Sequence, residues 1–142
     1  MVLNVPINSV SFGQVCTGLL REAYSQDKDS TIVFPVGNPE FNTQSNLTKE
    51  FGDWVKSCIN RAPVEHKRGN PCLRFWHLDG SLASVSESQA LFTFYELDAP
   101  TPYELNTIKN QSAVIVSSNY TKQIFESFGC SNIHYVPLGF DK

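Results

Sequence analysis

At 142 residues the chain has the size of one domain, large enough to bury a core without staples. Its hydrophobic content of 41% and charged content of 18% are those of an ordinary globular protein. A formal net charge of -3 leaves no cationic excess to neutralise nucleic-acid phosphates or an anionic membrane.

Short apolar runs alternate with helical patterns along the chain. Val2 to Ile7 reads as a first strand. From Ser9 the period changes, and Phe12, Val15, Cys16, Leu19, Leu20 and Ala23 make one helix face at steps of three and four. Thr31 to Val36 is a second strand, with Pro35 marking a strand end or an edge. Leu47, Phe51, Trp54, Val55, Cys58 and Ile59 form a second helical stripe. His66-Lys67-Arg68 beside Gly69-Asn70-Pro71 reads as a solvated loop. Cys72 to Trp76 is a short third strand.

Residues 79–90 are the least regular stretch, although Ser84 and Glu87 are spaced to cap one helical turn. Ala90 to Tyr95 is a fourth strand. Thr101-Pro102-Tyr103-Glu104 is a helix start, with a capping threonine, proline at the first helical position and glutamate completing a capping box. Ala113 to Val116 is apolar throughout, as a central parallel strand should be. Ser118 opens a last helix that Gly129 stops in the left-handed conformation. Ile133 to Val136 is the sixth strand. Six strands joined by crossover helices predict a single Rossmann-like, three-layer α/β domain over residues 1–142 with a mainly parallel sheet.

Cys16, Cys58, Cys72 and Cys130 lie too far apart for the ligand pairs of a structural zinc site. Buried thiols in a reducing compartment are expected, and no metal site. The sequons at Asn46, Asn110 and Asn119 follow no signal peptide, so they read as chance matches in a cytoplasmic protein. No apolar run approaches the ~20 residues that span a bilayer.

An open parallel sheet binds ligands beyond the carboxyl ends of its strands. The candidate loops are therefore Asn8 to Gly13, Gly37-Asn38, His77 to Gly80, Glu96 to Asp98, and Ser117 to Asn119. Ser11, Phe12 and Gly13 open a helix, where free N–H groups favour a phosphate, but the loop lacks dinucleotide-fold glycines. Glu96 and Asp98 can accept a hydroxyl proton or hold a sugar by hydrogen bonds. His77 and Asp79 are similarly placed after the third strand.

Five segments follow in a set order: Leu91-Phe-Thr-Phe-Tyr-Glu-Leu-Asp98, Pro102 to Asn110, Ala113-Val-Ile-Val-Ser-Ser118, Tyr120 to Gly129, and Val136-Pro-Leu-Gly-Phe-Asp141. This order resembles the end of the N-terminal domain of GT-B glycosyltransferases related to the glycosyltransferase group 1 (retaining) family. That domain carries a threonine-aromatic-glutamate strand end, a strand running into V-S/P-S, a helix ending in glycine, and V-P-x-G-x-D. Thr93-Phe94-Tyr95-Glu96 departs by one extra aromatic. The resemblance covers residues 90–141 well and residues 1–90 only by element order.

The resemblance implies the acceptor-side half of an enzyme that moves a sugar from a nucleotide-sugar to a hydroxyl of a sugar-containing acceptor. Ser11, Phe12 and Gly13 would then approach the donor diphosphate. Glu96, with Asp98, would orient or deprotonate the acceptor, and Ser118 and Asn119 would line the same edge. No cofactor is implied beyond the nucleotide-sugar as co-substrate. The donor-binding half follows V-P-x-G-x-D in that family and is absent from these residues. The chain is thus expected to be inactive alone and to dock a second Rossmann-like domain or to self-associate. The alternative is a non-catalytic Rossmann-like binding or interaction module. A flavodoxin-like or receiver domain is disfavoured, because no acidic pair trails the first strand and no Ser/Thr-rich phosphate loop follows it.

Overall fold

The computed structural model describes residues 1–41 and 48–139. Asn46 and Leu47, together with Phe140 and Asp141 of the family-like exit, lie outside them. The elements run β1 (Val2–Val5), α1 (Ser11–Gln26), β2 (Ile32–Pro35), α2 (Lys49–Glu65), β3 (Cys72–Phe75) and β4 (Gln89–Thr93). Then follow α3 (Pro102–Lys109), β5 (Ala113–Val116), α4 (Asn119–Ser127) and β6 (Ile133–Tyr135). All strand pairs are parallel, in the order β2-β1-β3-β4-β5-β6. The expected Rossmann-like α/β sheet is present.

Alternation along the strands builds two cores. Leu3, Val5, Val33, Phe75 and Phe92 face α1, meeting Phe12, Cys16, Leu20 and Ala23. Leu91, Val114, Val116 and Ile133 face the other way, onto Ile108 of α3 and Phe125 of α4. Each such side chain contributes roughly 1.5–3 kcal/mol by leaving water. Register carries the packing: Phe75 lies opposite Phe92, and their rings stack at 4.5 Å. Helix α2 flanks the edge strand β2. Its Phe51 and Trp54 meet Tyr24 of α1, and His66 at its C-terminus meets the Phe34 ring.

Side chains cap three helices, two of them, α3 and α4, as the sequence predicts. Thr101 accepts the Glu104 N–H and Glu104 accepts the Thr101 N–H, closing the capping box of α3. Ser118 accepts the Thr121 N–H at 3.4 Å, and Gly129 stops α4 with φ 79. Thr48 accepts the Phe51 N–H at the start of α2.

Three expectations change. The first strand stops at Val5, because Pro6 has no N–H for the ladder. The fourth stops at Thr93, whose partner Val116 is the last residue of β5, so Phe94 and Tyr95 have no neighbour to pair with. Ser84 and Glu87 cap no helical turn. Instead Ser84 Oγ donates to Ser86 O at 2.8 Å and accepts the Ser86 N–H at 3.1 Å, a serine turn that competes with helix.

The β3–β4 connection is held by a buried polar network instead. Arg74 donates to Asn4 Oδ1, to Ser81 Oγ at 3.2 Å and to the Gly80 carbonyl at 3.3 Å. Gln89 and Gln111 both donate to the Ser81 carbonyl, at 2.8 and 2.9 Å, and Gln89 also donates to Gln111 Oε1. Asn132 extends the chain to the Gln111 and Ile108 carbonyls at 2.9 Å. Buried amides and guanidinium without such partners would cost ~1–3 kcal/mol each.

The four cysteines are free and buried. Burial pushes the Cys16 thiol far up and the Cys72 thiol up to about 11.

Candidate functional site

From β1 the chain passes to β2 on one side and then returns to β3 on the other. This reversal opens a crevice at the carboxyl ends of β1 and β3, where such sheets bind ligands. A cavity of about 560 Å³ occupies it, lined by residues that include Ser11, Phe12, His77, Asp79, Tyr95 and Glu96. The ends of β1, β3 and β4 thus bring five of the sequence-derived candidates together.

The floor is aromatic. The Phe12 ring lies 4.7 Å from Phe94 and 4.7 Å, edge-on, from His77. Trp76 closes the group, 6.0 Å from Phe12 and 5.2 Å from His77. Phe12 is buried, Phe94 and Trp76 are half-buried and His77 is exposed, and the rings are tilted to one another by 39° to 75°, so the cluster offers solvent the His77 ring and part of Phe94 and Trp76 and not one flat face.

The rim is acidic. Asp79, Glu96 and Glu104 line the cavity, and among the described residues no lysine or arginine does. Glu104 is committed to the fold: its Oε2 accepts the Thr101 N–H at 2.7 Å, the Thr101 hydroxyl at 2.9 Å and the Tyr95 hydroxyl at 3.4 Å. Burial, and then the Glu104 and Asp98 carboxylates, push the Tyr95 hydroxyl above its usual range and keep it a donor. Glu96 differs. It is exposed, and among the described residues no hydrogen bond or ion pair engages its carboxylate.

Glu96 also borders a second hollow of about 250 Å³, shared with Tyr95, Ser118 and Thr121. Thr121 Oγ1 donates to the Tyr95 carbonyl at 2.8 Å, fixing the start of α4 against the end of β4. Ser118 is occupied as the cap of α4. Asp98 and Asn119 are exposed and line neither hollow.

The loop before α1 is arranged around its own groups. Asn8 Oδ1 accepts the Val10 N–H at 3.2 Å, and the Gly13 N–H donates to Val10 O at 2.7 Å. Gly13 is buried beneath Asn8, so its part is close packing and not ligand contact. Ser11 has φ 29, an uncommon value for a residue with a side chain. It stands at the cavity wall beside Phe12.

Sequence reasoning missed Phe94, Tyr95 and Glu104 as lining residues. The run Phe92-Thr93-Phe94-Tyr95 read as strand, whereas its last two residues lie past the strand and border the crevice, Phe94 against Phe12 and Tyr95 against Phe125. A groove of comparable size, about 510 Å³, opens at the amino end of the sheet among Met1, Val2, Ile32, Pro71 and Leu73. Among the described residues its lining is mostly apolar, with the buried Cys72 thiol and Met1, whose ammonium pairs with Asp27 at 3.2 Å.

No family model, no curated protein and no solved structure matches the chain. Among the described residues, no helix is long and apolar enough to cross a membrane.

Proposed function

We propose that this domain is the acceptor-binding half of a sugar-transferring enzyme, with the crevice at the ends of β1, β3 and β4 as the acceptor site. One observation carries this reading. The uncommitted Glu96 carboxylate lines the same cavity as Phe12, His77 and Phe94 at the reversal of the strand order. An aromatic ring takes the C–H face of a sugar ring, and a carboxylate beside it orients a hydroxyl or removes its proton. Tyr95 supplies a further hydroxyl, and Asp98 adds negative charge close by.

Catalysis in this reading needs a second Rossmann-like domain, which binds the nucleotide-sugar and presents its anomeric carbon across the crevice. No metal or resident cofactor is assigned to this half. The four free thiols suit a reducing compartment such as the cytoplasm.

The strand order favours a second reading. The order β2-β1-β3-β4-β5 is that of flavodoxin-like domains, which bind a flavin nucleotide at the same reversal. Against it, the Asn8 side chain occupies the amide of the phosphate loop, and Asp79 and Glu96 would repel a phosphate. Titration calorimetry separates the two. The acceptor reading expects millimolar binding of free sugars, no added affinity for nucleotide-sugars and none for flavin mononucleotide. Tight flavin binding without sugar binding would replace it.

A further inference from the structure

We propose that the crevice selects an amine-bearing sugar ring, setting its ammonium against Asp79 and Glu96, and turns phosphorylated sugars away. This rests on the acceptor-site reading above and adds the charge of the substrate. The cavity is large enough, at about 560 Å³, for one ring and its water. Phe94, half-buried at the cavity wall and backed by the buried Phe12 ring at 4.7 Å, gives the ring an apolar contact, so selection comes from the rim.

The charges on that rim have one sign. Asp79, Glu96 and Glu104 are its carboxylates, and Asp98 stands close enough to raise the neighbouring Tyr95 hydroxyl. Among the described residues the one basic side chain in the lining is His77, whose ring is turned edge-on to Phe12 and Trp76. Arg74 of β3 does not line the cavity and donates instead to Gly80, Ser81 and Asn4. Carboxylates gathered around an apolar concavity focus a negative potential. A phosphate entering it brings about −1.5 to −2 charges of the same sign, whereas an ammonium gains a charge-assisted hydrogen bond.

The test uses Trp76 as a reporter, since it packs against Phe12 and His77 of the lining, while Trp54 is buried against Tyr24 and supplies a constant background. Fluorescence titrations at neutral pH and low salt compare glucose, glucosamine and glucose 6-phosphate, which differ by one substituent. Glucosamine is expected to bind about tenfold tighter than glucose, the worth of one charge-assisted hydrogen bond. Glucose 6-phosphate is expected to bind more weakly than either. The preference should shrink in high salt and disappear in Asp79→Asn/Glu96→Gln, a variant whose unchanged melting temperature shows that it folds. Glucosamine binding no tighter than glucose, or glucose 6-phosphate binding as tightly as glucosamine, would overturn the charge selection and leave the acceptor site standing. Failure of all three sugars to bind would instead overturn the acceptor reading itself.

Discussion

Gly13 approaches Asn8 so closely that a Cβ on it would lie 2.2 Å from Asn8 Oδ1 and 2.3 Å from the Asn8 carbonyl oxygen. The first turn of α1 is thereby clamped onto the loop after β1, and Phe12 is carried into the crevice floor. The Asn8 carbonyl oxygen and carbon are backbone atoms, so a side chain at residue 13 must displace the loop. Gly13→Ala is expected to lower stability by ~1–3 kcal/mol, as overpacking does, and to weaken sugar binding through Phe12. Urea melts measure the first effect. An unchanged midpoint would mean that the loop yields freely.

Thr101→Ala removes one half of the capping box of α3 and should cost ~1 kcal/mol. It also takes one donor from Glu104, whose Oε2 then keeps only the Thr101 N–H and the Tyr95 hydroxyl. Sugar binding should be unaffected, because Thr101 does not line the cavity. Equal urea midpoints for the two proteins would remove Thr101 from the stabilising residues.

Arg74→Met is expected to cost ~1–3 kcal/mol by taking the Arg74 donor from Asn4 Oδ1 and from Ser81 Oγ. The Ser81 hydroxyl donates to the His77 carbonyl at 2.5 Å, so the loss should also free the loop that carries His77 and Asp79. Hydrogen exchange of the His77–Ser81 amides reports this directly. Faster exchange there, with little change in β5 and β6, is the expected pattern; uniform protection would show that the loop holds itself.

Cys72 predicts a decline in stability at alkaline pH. Its thiol titrates near 9.0 in the unfolded chain and at about 11 in the folded protein. Between those values the unfolded chain has lost a proton that the folded protein keeps, so stability falls as pH rises. Below pH 9.0 the contribution is constant. Urea midpoints between about pH 8 and pH 11 should fall more steeply for the wild type than for Cys72→Ala. Parallel slopes would assign the decline to other groups.

Much of the fold was legible because its signals are local. Thr101 and Glu104 are three residues apart, Gly129 acts on its own turn, and the apolar run Ala113 to Val116 declares a covered strand. The end of β4 was not local: it depends on where β5 stops, which only the register of Thr93 with Val116 reveals. The polar network was equally hidden, since Asn4 and Arg74 stand 70 residues apart in sequence and meet only once β1 pairs with β3. In the site, Glu96 and His77 were legible from their places after strands. Gly13 was placed in the right loop, but its burial under Asn8 depends on how the chain turns into α1. Tyr95 and Glu104 were hidden because one read as strand and the other as cap.

The central claim is that the crevice beside Glu96 holds a sugar. Amide shifts of the 15N-labelled protein, recorded with increasing sugar for the wild type and Glu96→Gln, test it most directly. The account predicts shifts clustered at Ser11, Phe12, His77, Asp79 and Glu96, with none at the amino-end groove around Met1, Ile32 and Leu73. Glu96→Gln should show the same footprint at about tenfold or more weaker affinity, the loss of one charge-assisted hydrogen bond, with an unchanged melting temperature. Shifts confined to the amino-end groove, or equal affinity in the two proteins, would contradict it.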